Sequence, residues 1–459
     1  MAQIERVAPP PRAQRVKPPA FIWVPAGAIA ALMLLPPAYL VVRTSEAGLD
    51  VWDILINLRT LRILIRTLLL VVLVTGVCGF LGVSLAWLTV RTDLPFRRVF
   101  AVLTALPLVV PSYVFALVVV VALGPKGMVQ GWLEPFGLER FPDIFGLPGA
   151  VLTLSLLSYP YILLPVRAAL FRVDPALEEA SRGLGRGAWH TFFHVTLPLL
   201  RPAIVAGALL VALYTLSDFG AVSLLRYQTF TWAIFIQFET ALDRTLAAGL
   251  SLALVALALT LLLAESRSRG RAEYYRVTPG LARETAIVQL GRWRWPAAGF
   301  VTAVAGLSIA APLGVLVFWV VRGVSAGEPL GFLWGDTLST LSVSALAAVV
   351  CGLAGIPIAV LAVRYPGRLT GVLERLTFVG FALPGVAVAL AFVFFASAVA
   401  QPIYQTRFLL ILAYVVLVLP ASVGATQASL RQVSPRIEEA ARGLGKSPLQ
   451  AFRSVTLPL

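Results

Sequence analysis

The chain has 459 residues, of which 59% are hydrophobic and only 13% are charged, with a mean hydropathy of +0.88 and a formal net charge of +15. This composition excludes a soluble globular protein, because too little polar surface remains to cover a folded core. Runs of about 20 apolar residues match the thickness of a bilayer, and lipid forces the backbone of each run into a helix. The alternating pattern of a transmembrane barrel is absent. The sequence therefore predicts an all-α, polytopic membrane protein.

Ten apolar runs are long enough to be transmembrane helices. In chain order they cover residues 20–42, 67–90, 99–123, 148–171, 202–225, 245–264, 297–321, 338–363, 376–398 and 408–430. The first run follows a basic, proline-rich tail, residues 1–19, rather than the short leader of a cleavable signal peptide. We expect that tail to be cytoplasmic.

The basic residues are distributed unequally between the two sides that these runs define. If the N-terminus is cytoplasmic, 27 of the 37 Lys and Arg residues lie in or beside the inward-facing stretches, and the other 10 lie in the outward loops. This asymmetry follows the positive-inside rule. We therefore attribute the charge of +15 to topology and contact with membrane lipid, and we predict no nucleic-acid partner.

The sequence contains an internal duplication. Arg91 and Arg364 end matching runs at an offset of 273 residues, and Pro160 and Pro420 match at an offset of 260. An even number of spans separates the copies, so we expect parallel repeats of about six helices. The predicted organisation is a tail (1–19), a first repeat (20–264), a linker (265–295) and a second repeat (296–459). The second copy lacks two spans, which predicts a natural length of about 524 (264 + 260).

Two polar segments interrupt the apolar sequence at matching places. The first polar segment covers residues 174–202, and the second polar segment covers residues 434–459. Each begins with a helix-capping residue and a proline, Asp174-Pro175 or Ser434-Pro435, and has acidic residues in its first turns. Glycines then end the predicted helix after about two turns. Both segments are predicted to face the cytoplasm as short exposed helices, built for contact with a partner.

The spacing of these segments resembles the Glu-Ala-Ala signature of ABC importer permeases. The first copy matches with Glu179, Ala180, Gly185, Val195, Leu197 and Pro198, and the second with Glu439, Ala440, Ala441, Gly445, Val455, Leu457 and Pro458. Ser181 departs from the usual alanine, and Val195 from the usual isoleucine. The resemblance implies that each short helix docks on an ABC ATPase subunit and transmits its closure to the spans. The residues assigned to docking are Glu178, Glu179, Ala180, Gly183, Gly185, Leu197, Pro198, Glu438, Glu439, Ala440, Ala441, Gly443, Gly445, Leu457 and Pro458.

A further stretch resembles the fused permeases of ferric-iron importers. It runs from Ser217 to Leu225 and continues through Thr229-Phe230-Thr231 to Ile234. Permeases for thiamine and aminoethylphosphonate share the fused layout, so these cargoes and other small anions remain alternatives. The resemblance implies a multi-pass protein of the bacterial inner membrane that receives substrate from a periplasmic or lipid-anchored binding protein.

Asp218 is the acidic residue placed well inside an apolar run. Counted from Arg201, it lies about 25 Å along the helix, near the outer leaflet. Because Fe³⁺ prefers oxygen ligands, a possible translocation path comprises Tyr214, Asp218, Tyr227 and Glu239. The alternative is that Asp218 caps a broken helix and has a structural role.

Two other patterns are weaker. His190 and His194 have the spacing of a helical metal pair, but the second copy has Gln450 and Ser454 there, so no metal site is predicted. The stretch around Lys446 lacks the first glycine of a phosphate-binding loop, so ATP hydrolysis is assigned to another chain.

We predict neither a catalytic site nor a cofactor. The chain is interpreted as the permease of an ABC importer, with a dimer of ATPase subunits as partner. A secondary carrier with two parallel six-helix halves is the alternative class. The paired polar segments and the few acidic residues inside the spans argue against that alternative.

Overall fold

The computed structural model describes residues 20–46, 48, 56–136, 142–173, 175–239, 244–268, 287–328, 331–378, 380, 383–432, 437, 440, 441, 443–446, 450 and 454. The described set excludes the predicted tail and most of the linker. It also excludes several residues of the second polar segment, among them Ser434, the counterpart of Asp174. Asp174 itself also lies outside it.

The described residues form helices, with one isolated parallel β-bridge between Thr92 and Val288. The helices of the first half are α1 (Ala20–Ser45), α2 (Leu58–Arg91), α3 (Arg97–Leu103), α4 (Ser112–Leu123), α5 (Met128–Leu133), α6 (Leu147–Ser158), α7 (Pro160–Leu170), α8 (Pro175–Gly183), α9 (Ala188–Thr191), α10 (Leu197–Ser217), α11 (Gly220–Leu224), α12 (Phe230–Glu239) and α13 (Arg244–Ser268). The second half contains α14 (Arg294–Ala305), α15 (Ala311–Ser325), α16 (Gly331–Arg364), α17 (Arg368–Phe378), α18 (Gly385–Ala398) and α19 (Arg407–Gln432). The predicted all-α class is confirmed.

Nine helical stretches within the described ranges are long and apolar enough to cross a membrane. They overlap nine of the ten predicted runs. The third stretch, Ser112–Phe136, begins 13 residues after the predicted start at residue 99, because the chain is interrupted at Pro111. The remaining run, 376–398, was predicted to be one span, but its apolar helix α18 begins only at Gly385 and has 14 residues. At 1.5 Å per residue, α18 is about 21 Å long, which is shorter than the hydrocarbon core of about 30 Å.

Prolines explain where matching spans are interrupted. Pro111 adopts an extended conformation directly before α4, and Pro384 directly precedes α18. Proline has no N–H to donate to the preceding turn and its ring clashes with that turn, so a helix that meets one breaks or bends. Pro160 similarly begins α7 where α6 ends, whereas α19 continues through Pro420.

The structure divides into two compact units. The larger unit comprises residues 37–336 and 382–391, and its core is built mainly where α2, α6, α7 and α10 pack together. The smaller unit comprises residues 1–36, 337–381 and 392–459, and Ala359, Val360 and Leu430 lie in its core.

Close helix packing in the larger unit centres on Ile162 of α7. A Cβ atom at Gly82 of α2 would lie 2.9 Å from the Ile162 Cβ, and one at Gly207 of α10 would lie 2.7 Å from the Ile162 Cα. In the smaller unit, a Cβ at Gly355 of α16 would lie 2.7 Å from the Ser422 Oγ of α19. Small residues allow such approaches between helices in lipid, where packing contacts drive association.

Each half of the sequence contains a Cys-Gly pair inside an apolar run, Cys78-Gly79 and Cys351-Gly352. The sequence predicts that these glycines, together with Gly82 and Gly355, are close contacts between helices. Gly82 and Gly355 meet that expectation, and they are related by the offset of 273 residues (355 − 82). The expectation is wrong for Gly79 and Gly352, because a Cβ at either would have no neighbouring atom within 4 Å. These two glycines face open space on the helix surface.

A second pair of contacts repeats within the two units. The Arg167 Nη1 of α7 donates a hydrogen bond of 2.7 Å to the Ala101 carbonyl oxygen of α3. At the matching positions, the Gln427 Nε2 of α19 donates a hydrogen bond of 2.9 Å to the Glu374 Oε1 of α17. The offsets are 260 (427 − 167) and 273 (374 − 101), as the duplication predicts.

Gly82→Ala is predicted to destabilise the folded chain by about 1–3 kcal/mol, because the added methyl group overpacks the contact with Ile162. Gly79→Ala is the matched control, since it lies one turn away and faces open space. Thermal unfolding of the two purified variants in the same detergent measures the difference. Equal unfolding temperatures would contradict the packing around Ile162.

Candidate functional site

The first polar segment contains the predicted short helix, and its end is built as the glycines predict. Helix α8 ends at Gly183, and Gly185 has a φ of +78°, a left-handed conformation that glycine adopts without strain. The Arg186 N–H donates to the Ser181 carbonyl oxygen at 3.3 Å and the Gly185 N–H to the Arg182 carbonyl oxygen at 2.9 Å, which closes the helix end.

The second polar segment ends its helix in the same way. Gly445 has a φ of +85°, and the Lys446 N–H donates to the Ala441 carbonyl oxygen at 3.2 Å. Ala440 is exposed and Ala441 is buried, as Ala180 is exposed and Ser181 is half-buried in the first copy. Gly443 is exposed, whereas Glu438, Glu439, Leu457 and Pro458 lie outside the described residues. The predicted helix end is therefore confirmed in both copies.

The inward face of α8 carries a buried carboxylate. Glu178 is 7% exposed, and its Oε1 accepts a hydrogen bond of 2.8 Å from the Thr196 hydroxyl. The same oxygen lies 3.5 Å from the Arg91 Nη2, in an ion pair whose arginine is 1% exposed. Glu178 was predicted to contribute to docking, but its carboxylate is occupied inside the protein rather than offered to a partner.

The outward face of α8 combines one acid with apolar and small residues. Glu179, Ala180 and Gly183 are exposed, and so are the apolar side chains of Leu177 and Leu184. Leu184 is 81% exposed. A carboxylate flanked by exposed leucines is suited to a partner that offers a basic group beside an apolar cleft.

The chain returns from α8 to the next span through α9 and a π-helical turn, Phe192–Thr196, which places Thr196 against Glu178. Leu197 and Pro198 are the first residues of α10. Pro198 fits there because the N–H groups of a first helical turn need no partner within the helix.

Ser181 departs from the usual alanine, and the structure supplies a reason. Its Oγ lies 3.0 Å from the Thr191 Oγ1, so the two hydroxyls hydrogen-bond between α8 and α9. The second copy has Ala441 and Ala451 at the matching positions. Both hydroxyl side chains are thus replaced by alanine in the second copy, as expected if Ser181 and Thr191 are present to hydrogen-bond with each other.

Arg91 is the site residue that sequence reasoning missed. It was identified only as the end of a predicted span, matched by Arg364 in the second copy. The available signal was that both spans end in arginine while both polar segments carry an acidic pair. The sequence could not show which acid of the pair faces the arginine, because that depends on the rotation of α8.

The possible translocation path contains a structural capping site. The Asp218 Oδ1 accepts a hydrogen bond of 2.9 Å from the Ala221 N–H at the start of α11, and the Thr231 hydroxyl donates to the Asp218 carbonyl oxygen at 2.7 Å. The Tyr214 ring lies against the Tyr161 ring, with centroids 5.5 Å apart. Asp218 is 7% exposed and holds together the interruption between α10 and α12.

The rest of that stretch is attached to the beginning of α2. The Tyr227 hydroxyl donates to the Arg66 carbonyl oxygen at 3.0 Å, and the Phe230 N–H donates to the Thr67 hydroxyl at 3.2 Å. Glu239 is exposed at the end of α12. Of the four residues assigned to the possible translocation path, Asp218 and Tyr227 form hydrogen bonds within the fold, and Glu239 is exposed.

The two histidines stack on each other. The His190 and His194 ring centroids are 4.0 Å apart at an angle of 16°, and the His194 Nδ1 lies 3.1 Å from the His190 carbonyl oxygen. Within the described ranges, no three His, Cys, Asp or Glu side chains form a group that could hold a metal ion.

Comparison with known families identifies two matching regions. The family model for binding-protein-dependent transport system inner membrane components matches residues 79–266 and 352–459. The two matches begin 273 residues apart (352 − 79), the same offset that relates Arg91 to Arg364.

Individual relatives extend the similarity. The Fe(3+)-transport system permease protein FbpB 2 of Haemophilus influenzae is 34% identical over 448 residues, which cover 96% of this chain and 85% of the relative. The ferric transport system permease protein FbpB of Actinobacillus pleuropneumoniae is 27% identical over 413 residues, covering 83% and 59%. The molybdenum transport system permease protein ModB of Escherichia coli is 37% identical over 146 residues, covering 30% and 60%.

The capping role of Asp218 predicts different effects for two substitutions. Asp218→Asn keeps a side-chain oxygen that can accept from Ala221 and should unfold at nearly the wild-type temperature. Asp218→Ala removes the cap and should lower the free energy of unfolding by about 0.5–2 kcal/mol. Glu239→Ala, at an exposed acid, is the control and should have no effect in the same thermal unfolding assay. An alanine variant as stable as the asparagine variant would contradict the capping role.

Proposed function

The chain belongs to the binding-protein-dependent transport system inner membrane components, the permease subunits of ABC importers, and on this premise we propose that it imports ferric iron across the bacterial inner membrane. It is a transport subunit and not an enzyme, and separate subunits hydrolyse ATP. The proposed partners are a dimer of ATPase subunits and a periplasmic or lipid-anchored binding protein.

The cargo proposal is carried by one observation. Similarity to a ferric permease of Haemophilus influenzae extends over 96% of the chain at 34% identity. A second cargo class, a small oxyanion, is favoured by the similarity to a molybdenum permease, but that similarity covers 30% of the chain. The similarity to the ferric permease extends over far more of the chain than the similarity to the molybdenum permease, and it therefore favours ferric iron.

We propose that the ATPase subunits dock on the outward faces of the two polar segments. Glu179 supports this role in the first copy because it is exposed beside Leu177 and Leu184. An exposed carboxylate forms a charge-assisted hydrogen bond with a basic residue of a partner, while the leucines supply apolar contact area. Glu439 is proposed to act likewise in the second copy.

The proposed topology places both docking faces in the cytoplasm. The supporting observation is the distribution of Lys and Arg, 27 of which lie in or beside the inward-facing stretches. The N-terminal tail (1–19) and the linker (265–295) are then cytoplasmic, and the two repeats (20–264 and 296–459) form the membrane part. Closure of the ATPase dimer would move the docked segments and switch the permease between inward-open and outward-open forms.

We retain Tyr214, Asp218, Tyr227 and Glu239 as the proposed outer part of the translocation path. The hydrogen bonds of Asp218 and Tyr227 support a role in holding the shape of this region. Glu239 is exposed and is the acid of this group best placed to meet a cation.

Glu179→Ala and Glu439→Ala are each predicted to lower ATP-driven uptake by about tenfold or more, because a hydrogen bond to a charged group contributes about 1.5–3 kcal/mol to binding. The double variant should lose the co-purifying ATPase subunit. Glu328→Ala, at an exposed acid in a predicted outward loop, is the matched control. The measurement is uptake in vesicles together with the amount of ATPase subunit that co-purifies. Wild-type co-purification of the double variant would refute docking at these faces.

The cargo is tested separately with the intact complex in proteoliposomes. Binding proteins loaded with ferric iron, molybdate, thiamine or a phosphonate are added in turn, and ATP hydrolysis is measured. Stimulation by the ferric-loaded protein alone is the expected result. Stimulation by another loaded protein alone would overturn the iron proposal and leave the permease assignment standing.

A further inference from the structure

Arg91 occupies an unusual position for an arginine. It is the last residue of the long apolar helix α2, and it is 1% exposed. Its guanidinium makes no hydrogen bond to any residue that the structure describes, and its charge is balanced by the Glu178 carboxylate at 3.5 Å. Removing a guanidinium from water costs several kcal/mol, and a pair at this distance recovers only part of that cost. Stability alone therefore does not account for the pair.

The location of the pair indicates a mechanical role. Glu178 belongs to α8, whose outward face carries Glu179, and Arg91 belongs to a membrane-spanning helix. Thr196 donates to the same carboxylate from the turn that leads into α10. One carboxylate thus links the proposed docking helix to the ends of two spans that pack on each other around Ile162.

The Arg91 backbone joins a third element to this point. The Val288 N–H donates to the Arg91 carbonyl oxygen at 2.8 Å, and the Asp93 N–H donates to the Val288 carbonyl oxygen at 3.2 Å. The Asp93 Oδ1 then accepts from the Leu290 N–H at 2.8 Å. The segment that leads into the second half of the chain is therefore fixed at the end of α2.

The internal duplication retains the same three side chains. Arg364 ends α16, and the second polar segment has Glu438 and Thr456 at the positions of Glu178 and Thr196. Glu438 and Thr456 lie outside the described residues, so their presence is an observation from sequence. Not every side chain of the first segment is retained, since Ser181, Thr191, His190 and His194 become Ala441, Ala451, Gln450 and Ser454, whereas Phe192 and Val195 keep their identity as Phe452 and Val455.

We propose that Arg91, Glu178 and Thr196 are positioning residues that fix α8 to the ends of α2 and α10, so that force on the docked helix moves these spans. Arg364, Glu438 and Thr456 have the same role in the second copy. The inference rests on the proposed docking of ATPase subunits on the outward face of α8. It separates two functions within one acidic pair: Glu179 contacts the partner, and Glu178 transmits the movement.

The test compares variants of the inner and outer faces in the complete complex, purified with its ATPase subunit and reconstituted in proteoliposomes. Three quantities are measured: co-purification of the ATPase subunit, ATP hydrolysis, and substrate taken up per ATP hydrolysed. Arg91→Met combined with Glu178→Gln removes both buried charges, so neither is left unpaired. This double variant should keep docking and hydrolysis but lower uptake per ATP by about tenfold, within the range measured for coupling between sites.

Single variants separate positioning from folding. Glu178→Gln alone leaves the Arg91 charge buried without its partner and should lower the unfolding temperature more than the double variant does. Arg91→Lys keeps the charge and should retain most of the uptake per ATP. Arg364→Met combined with Glu438→Gln should reproduce the uncoupling from the second copy.

The outcomes distinguish the inference from the proposed function. Wild-type uptake per ATP in the stable Arg91→Met/Glu178→Gln double variant would overturn the positioning role and leave docking intact. Retained docking and uptake in the Glu179→Ala/Glu439→Ala double variant would instead overturn the docking proposal. Loss of the ATPase subunit from the Arg91→Met/Glu178→Gln variant would also overturn the inference, because it would place the pair in the docking surface.

Discussion

The buried contact between Arg91 and Glu178 is the constraint on which the arrangement of the first polar segment depends. Helix α8 has nine residues and is too short to be stable alone, so its orientation must come from tertiary contacts. The Glu178 carboxylate, held by Arg91 and Thr196, fixes the rotation of α8. That rotation buries Glu178, half-buries Ser181, and turns Glu179, Leu177 and the glycine-rich end outward.

The membrane part supplies a rigid base for this segment. Helices α2, α7 and α10 approach closely at Gly82, Ile162 and Gly207, where a single methyl group would not fit without displacement. Because α2 ends in Arg91 and the turn before α10 contains Thr196, both helices are connected to α8 through the Glu178 carboxylate. Interruptions lie elsewhere, at Pro111 and around Asp218, in segments without a part in that connection. The fold therefore combines a close-packed group of helices beside α8 with spans that are interrupted elsewhere.

Composition and periodicity predicted the helical class, nine of the spans and the duplication, since these depend on local hydropathy and on repeats. The glycine-terminated helices were also predictable, because Gly185 and Gly445 must supply a left-handed turn. Three features required the structure. The shortened helix α18 depends on how Pro384 breaks a run that is uniformly apolar. Contact at Gly82 but not Gly79 depends on which face of α2 meets α7. Burial of Glu178 rather than Glu179 depends on the partner that α8 packs against, and neighbouring acids cannot be told apart by sequence.

The most direct measurement is the distance between spin labels at Arg182→Cys on α8 and Arg98→Cys on α3, in a chain whose buried cysteines, Cys78 and Cys351, are replaced by alanine. Both labelled positions are exposed. The distance is recorded in the complete complex without nucleotide and during ATP hydrolysis. Helix α3 begins six residues after Arg91 and contacts α2, so its position reports on the end of α2. If α8 is fixed to the end of α2, one narrow distance distribution should persist in both states and should broaden when Arg91→Met and Glu178→Gln are introduced. A distance that changes on hydrolysis while the Arg91–Glu178 pair is intact would contradict the account.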